Sequence, residues 1–259
     1  MAPAVGCCVA IHERVWERSD AGRSPSPPPA PRPWRPEGTY TLLAVIAGMY
    51  VLQQVVQAYQ DARVHALLAG QGGFVPAVLY GGRPVTLADW LFVIHTDWPL
   101  RPWTLLTSTL SHDVGHFTHI LFNGLFLFFF GPTVERLVGR TRFLTLFLLA
   151  GALSGIVQVH LSAALGDPRG ALGASGALMM LFGLVMVVLP RQKILVYGII
   201  PVPMWAAGIG YAALDVLGAF NPYSSVGNFA HLSGLALGMG YGMWQKQDWK
   251  RRGMRLTTT

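Results

Sequence analysis

Long apolar runs recur along this chain, and short connectors between them hold most of the charge. The runs cover 39–59, 117–134, 143–165, 171–190, 194–220 and 226–244. A helix of about 20 apolar residues crosses the roughly 30 Å hydrocarbon core of a bilayer. Runs of this length are read as membrane-spanning helices. The expectation is an all-α polytopic membrane protein, a bundle of six transmembrane helices. Composition agrees: 52% of the 259 residues are hydrophobic and only 12% are charged, too few for a soluble domain.

The formal net charge is +7. A nucleic-acid binder would gather it into a stripe. Here the basic residues lie at the two ends and in short connectors, which suits an anionic lipid bilayer and no nucleic acid. Arg136, Arg140 and Arg142 follow the second run, and Arg191 and Lys193 follow the fourth. With six spans, every basic segment falls on one side, so both termini are expected in the cytoplasm. Residues 1–37 form a basic, proline-rich tail, expected to be disordered. Residues 38–245 are the expected six-span catalytic domain, with 60–116 as a long outer-side loop, and 246–259 are a second basic tail. The patch Trp90, Leu91, Phe92, Val93, Ile94 is too short to span and suits the interface, as do Trp98 and Trp103. Cys7 and Cys8 are the only cysteines, and neighbours rarely bridge, so no disulfide framework is expected. No signal-peptide pattern opens the chain, and Glu13, Glu17 and Asp20 weigh against a transit peptide. A bacterial inner membrane is the expected location. Nothing in the sequence sets an oligomeric state.

Six spans put the starts of the second, fourth and sixth in one leaflet. Polar residues gather at those starts. His119 and Asn123 are four apart, on one helix face. Ser175 stands in Gly173-Ala174-Ser175-Gly176. His231 opens the sixth run, followed by Gly234 and Gly238 on its own helix face. A serine hydroxyl becomes a nucleophile when a base removes its proton, and an imidazole suits that task. The oxyanion formed on attack needs donors already in place, which an asparagine amide and an imidazole N–H supply. Gly234 and Gly238 form a small-residue face that lets the sixth helix approach the serine. Taken alone, each piece reads as packing.

In this combination the chain resembles the rhomboid intramembrane serine proteases. The residues that carry the resemblance are His119 and Asn123 in HILFN, GASG around Ser175, and His231, Gly234 and Gly238 in AHLSGLALG. Trp103, and Glu135-Arg136 with Gly139, are also similar. The resemblance implies a serine–histidine dyad, Ser175 as nucleophile and His231 as general base and then acid. It implies an oxyanion hole from Asn123, His119 and the Ser175 backbone N–H. It further implies transmembrane protein substrates, cut within or beside their helices, and no cofactor. Two positions depart from the family pattern. Thr104 follows Trp103 where an arginine is frequent, and Met179 stands where some members carry a tyrosine under the histidine ring.

Two rival readings remain from other classes. A non-catalytic rhomboid-like protein that binds membrane helices would usually lack the serine or the histidine. A histidine-based metal-binding membrane protein could use His112, His116 and His119, but Gly115 interrupts their helix and no HExxH motif completes a site. No metal ligand is therefore assigned. Asp215 could orient the histidine as a third triad member does. From its place near the end of the fifth run, an interfacial or capping role is expected instead.

Overall fold

The computed structural model describes residues 16–17, 34–70, 77–80, 83–196, 199–221, 224, 226–253 and 255–256. Most of the expected N-terminal tail, with Cys7 and Cys8, lies outside the described residues.

Helix α1 covers Glu37–Leu68, nine residues beyond the end of the first apolar run. Its start is capped from a distant helix. Glu135 accepts hydrogen bonds from the N–H of Gly38 (2.8 Å) and of Thr39 (2.7 Å) and from the Thr39 hydroxyl (2.8 Å). A carboxylate there satisfies otherwise orphaned N–H groups and complements the positive end of the helix dipole. The glutamines that interrupt the first run also have a task. The Gln53 amide donates to the His112 carbonyl (3.1 Å) and accepts from the His112 N–H (2.9 Å).

The described residues of the expected outer loop carry regular structure. Beyond the end of α1 they include an antiparallel pair, Ala77–Tyr80 with Arg83–Thr86. Helix α2, Leu87–Phe92, follows, with the Thr86 hydroxyl capping it by accepting from Asp89 N–H at 3.0 Å. After a single 3-10 turn, Trp98–Leu100, comes α3, Thr104–Leu110. Arg101, not a residue after Trp103, anchors this region. It is buried and donates to Asp97 (2.7 Å) and to the Trp90 carbonyl (3.5 Å), which also accepts from the Trp103 indole at 3.3 Å.

Helix α4 is Phe117–Val138 and α5 is Arg140–Ala164. Gly139 joins them at φ +85°, a conformation that costs glycine little. Helix α6, Ser175–Val188, is buried from Gly176 through Val185, which identifies it as the central helix of the bundle. Helix α8, Asn228–Arg251, lies directly against it. A Cβ on Gly234 would collide with the Gly176 carbonyl, and one on Gly238 with the Met180 carbonyl. The two backbones touch where the small-residue face was expected. Helix α8 continues to Arg251, into the segment expected as a tail.

The fifth run is corrected. Its first part forms an antiparallel pair, Lys193–Val196 with Ile200–Pro203, and α7 is only Met204–Ala219. Pro201 and Pro203 lack the N–H that a helix interior needs, so the helix starts just past them. By length and composition, three helices among the described residues are long and apolar enough to cross a membrane: Glu37–Ala66, Phe117–Val138 and Arg140–Ala164. Ser175–Val188 and Met204–Ala219 are shorter apolar helices.

Candidate active site

Ser175 is the first residue of α6. The segment leading to it is held from outside. Ile94 and Ala171 exchange both backbone hydrogen bonds (3.0 and 2.9 Å), and Gly173 N–H donates to the Ser108 carbonyl at 2.8 Å. Gly173 takes φ +128°, which side-chain-bearing residues rarely adopt. The same position admits an imidazole. A Cβ there would lie 3.0 Å from His119 Nε2 and 3.9 Å from Ser175 Oγ. The first turn of α6 has no side-chain cap, so its N–H groups and the positive end of its dipole are free for an anion.

A cavity of about 520 Å³ opens over this serine. Ser175, His231, His119, Asn123, Gly173 and Gly176 all line it. The predicted residues from α4, α6 and α8 are thus brought together, while Gly234 and Gly238 lie behind, in the α6–α8 contact. Among the described residues no hydrogen bond joins Ser175 to His231; they share the cavity wall.

Two donors are suited to an oxyanion. Asn123 is buried, and its Nδ2 has no hydrogen-bond partner among the described residues. His119 Nδ1 accepts from the Asp113 N–H at a long 3.4 Å. That bond assigns the ring proton to Nε2, the nitrogen beside Gly173. Behind it, His112 is fully buried, its ring edge-on to His119 at 5.1 Å. Burial, with a smaller contribution from His119, brings the His112 pKa down to about 4. His116, on the rim of the same cavity, pairs with Asp113 at 2.7 Å. Among the described residues no three His, Cys, Asp or Glu side chains are grouped as metal ligands.

The histidine on α8 has a partner that the sequence reading placed elsewhere. Asp215 of α7 is buried, and its Oδ1 lies 3.0 Å from His231 Nδ1. It caps no helix end. It is the only charged residue in 194–220, and that lone charge in an apolar run was the available signal. Tyr211, one turn earlier on α7, supplies the ring neighbour of His231, with centroids 6.0 Å apart. Met179 packs instead near Gly234. Gln158 of α5 holds the start of α8 by accepting from Ala230 N–H at 3.0 Å.

A helical membrane protein with Ser175, His231, His119 and Asn123 around one cavity is the class that fold and site define. The chain belongs to the rhomboid family: the family model described as the Rhomboid domain matches residues 99–247. Among similar proteins are the RHOMBOID-like protein 12, mitochondrial, of Arabidopsis thaliana and Rhomboid protein 1, mitochondrial, of Saccharomyces cerevisiae. The first is 35% identical over 52% of this chain and 44% of its own length; the second is 31% identical over 63% and 48%. The Rhomboid protease GlpG of Haemophilus influenzae is 33% identical over 51% of this chain and 66% of its own length. The chain spans about half the length of the mitochondrial relatives it matches. With mitochondrial proteins prominent among its relatives, the expected bacterial inner membrane is not supported; an integral membrane protein is.

Proposed function

We propose that this chain is an intramembrane serine endopeptidase that cuts other membrane proteins within or beside their transmembrane helices. In this reading the catalytic unit is 38–245 and crosses the bilayer six times. Ser175 Oγ attacks the scissile carbonyl carbon while His231 accepts its proton. The tetrahedral oxyanion takes hydrogen bonds from Asn123 Nδ2, His119 Nε2 and the Ser175 N–H. His231 then returns the proton to the leaving amine as the C–N bond breaks. Water repeats the sequence on the acyl-enzyme and frees Ser175.

The observation that carries this reading is the shared cavity: nucleophile, base and an unpartnered buried amide donor line one wall. Depth supports it too. A helix of 14 residues is about 21 Å long, less than the roughly 30 Å hydrocarbon core. In this reading such a short helix starts below the membrane surface, so that a transmembrane substrate meets Ser175 there. The substrate must unwind locally, because its carbonyls are otherwise held in its own helix.

The test compares purified wild type and Ser175→Ala in detergent on a labelled transmembrane substrate. Cleavage by wild type alone is expected. Equal cleavage by both would sink the reading, and loss on chelation with Ser175→Ala unaffected would favour a metal mechanism.

A further inference from the structure

Asp215 sits where a membrane helix has little reason to keep a charge. Along α7, Ile209, Leu214, Val216 and Leu217 are exposed apolar residues, as a lipid-facing helix requires. Only Met204, Gly208 and Asp215 of this helix are buried. A buried carboxylate is costly unless it is paired and hydrogen-bonded. This one is both. Asp215 Oδ1 receives His231 Nδ1 at 3.0 Å and Asn228 Nδ2 at 2.8 Å. Asn228 is fixed in turn, because its Oδ1 accepts from the Ser224 hydroxyl at 2.9 Å. Gly218, one turn past Asp215, makes room: a Cβ there would lie 2.5 Å from Asn228 Nδ2.

We propose that Asp215 is a positioning residue that completes a Ser175–His231–Asp215 triad, in place of a simple dyad. The inference rests on the serine-endopeptidase reading and deepens it. A carboxylate only accepts, so the proton of the neutral imidazole resides on Nδ1. Nε2 is then the lone-pair nitrogen, free to take the Ser175 proton. When His231 becomes imidazolium during attack, the same carboxylate faces the new positive charge. The proton passes from Ser175 Oγ to His231 Nε2 and on to the leaving amine; Asp215 takes none. An amide at this position can instead offer its own N–H to Nδ1, which moves the ring proton to Nε2 and removes the base.

The experiment uses the full chain in detergent, with Asp215→Asn as the near-isosteric variant and Asn228→Ala beside it. Transmembrane-substrate kinetics, the rate of Ser175 labelling by a fluorophosphonate and the thermal unfolding midpoint are measured for each. For Asp215→Asn, kcat and the labelling rate should fall about 10²- to 10⁴-fold, with KM and the midpoint close to wild type. Asn228→Ala removes the other tie through the same carboxylate but leaves the imidazole proton where it is. Its loss of kcat should be much smaller. Equal losses in the two variants, following the unfolding midpoint, would mean that Asp215 only ties α7 to α8 and would overturn the triad. So would wild-type turnover in Asp215→Asn. A wild type that neither cleaves nor labels would overturn the hydrolase reading, and the triad with it.

Discussion

Asn123 buries an amide donor and gives it nothing to bind within the described residues. An unmet buried donor costs about 1–3 kcal/mol, so its retention fits a partner that exists only during reaction. Asn123→Ala should lower kcat by about 10²–10³ with little change in KM. Kinetics on a transmembrane substrate checks this, and a large KM increase at normal kcat would contradict it. His112 gives a pH prediction. Its pKa of about 4 in the folded protein lies below the ordinary histidine value of 6.5, so the unfolded chain binds the proton first as pH falls. This contribution is whole above about 6.5 and is lost on the way down to about 4, roughly 3 kcal/mol in all. Thermal midpoints measured from pH 7 to pH 4 should fall, and His112→Phe should flatten that fall. The sequence brought Ser175, His231, His119 and Asn123 forward because each is a polar group near the start of an apolar run, and all four line one cavity. It misplaced Asp215, because a position near the end of a run fits both a cap and an inward carboxylate. Only the facing of α7 toward α8 separates the two.

At the level of helices, the α6–α8 contact decides where His231 stands. Gly238 abuts the Met180 carbonyl and Gly234 the Gly176 carbonyl, both rigid backbone. Gly238→Val should therefore push α8 away, lower the unfolding midpoint by the equivalent of about 3 kcal/mol and abolish cleavage. Gly48 on α1 has nothing within 4 Å, so Gly48→Ala is the matched control and should leave both unchanged. The glycine spacing announced this contact in the sequence. Helix limits were less legible. The run from 194 is continuously apolar, yet Pro201 and Pro203 turn its start into a strand pair. Helix α1 outlasts its apolar stretch to Leu68, where polar residues continue the helix beyond it. The order in 83–116 had weak local signals. It depends on contacts distant in sequence, such as Arg101 and Trp103 on the Trp90 carbonyl and Gln53 on His112.

Across the whole molecule, a buried central helix carries the serine and its neighbours bring the other groups to it. Helix α4 supplies His119 and Asn123, and α8 supplies His231. Helix α7 adds Asp215, and the Ile94–Ala171 bridge steadies the approach to Ser175. The mostly helical, membrane-spanning character was legible from the apolar runs; among the described residues three helices have both the length and the hydropathy to cross a membrane. Helix α6, with 14 residues, is among the shorter apolar helices. Under the proposed function Ser175 is an activated nucleophile. The most direct test is to treat the folded wild-type protein with a fluorophosphonate and locate the adduct by peptide mass spectrometry. One adduct is expected, on Ser175, formed as cleavage activity disappears and absent from His231→Ala. A protein that cleaves its substrate while carrying no adduct there, or carrying it on another serine, would contradict it.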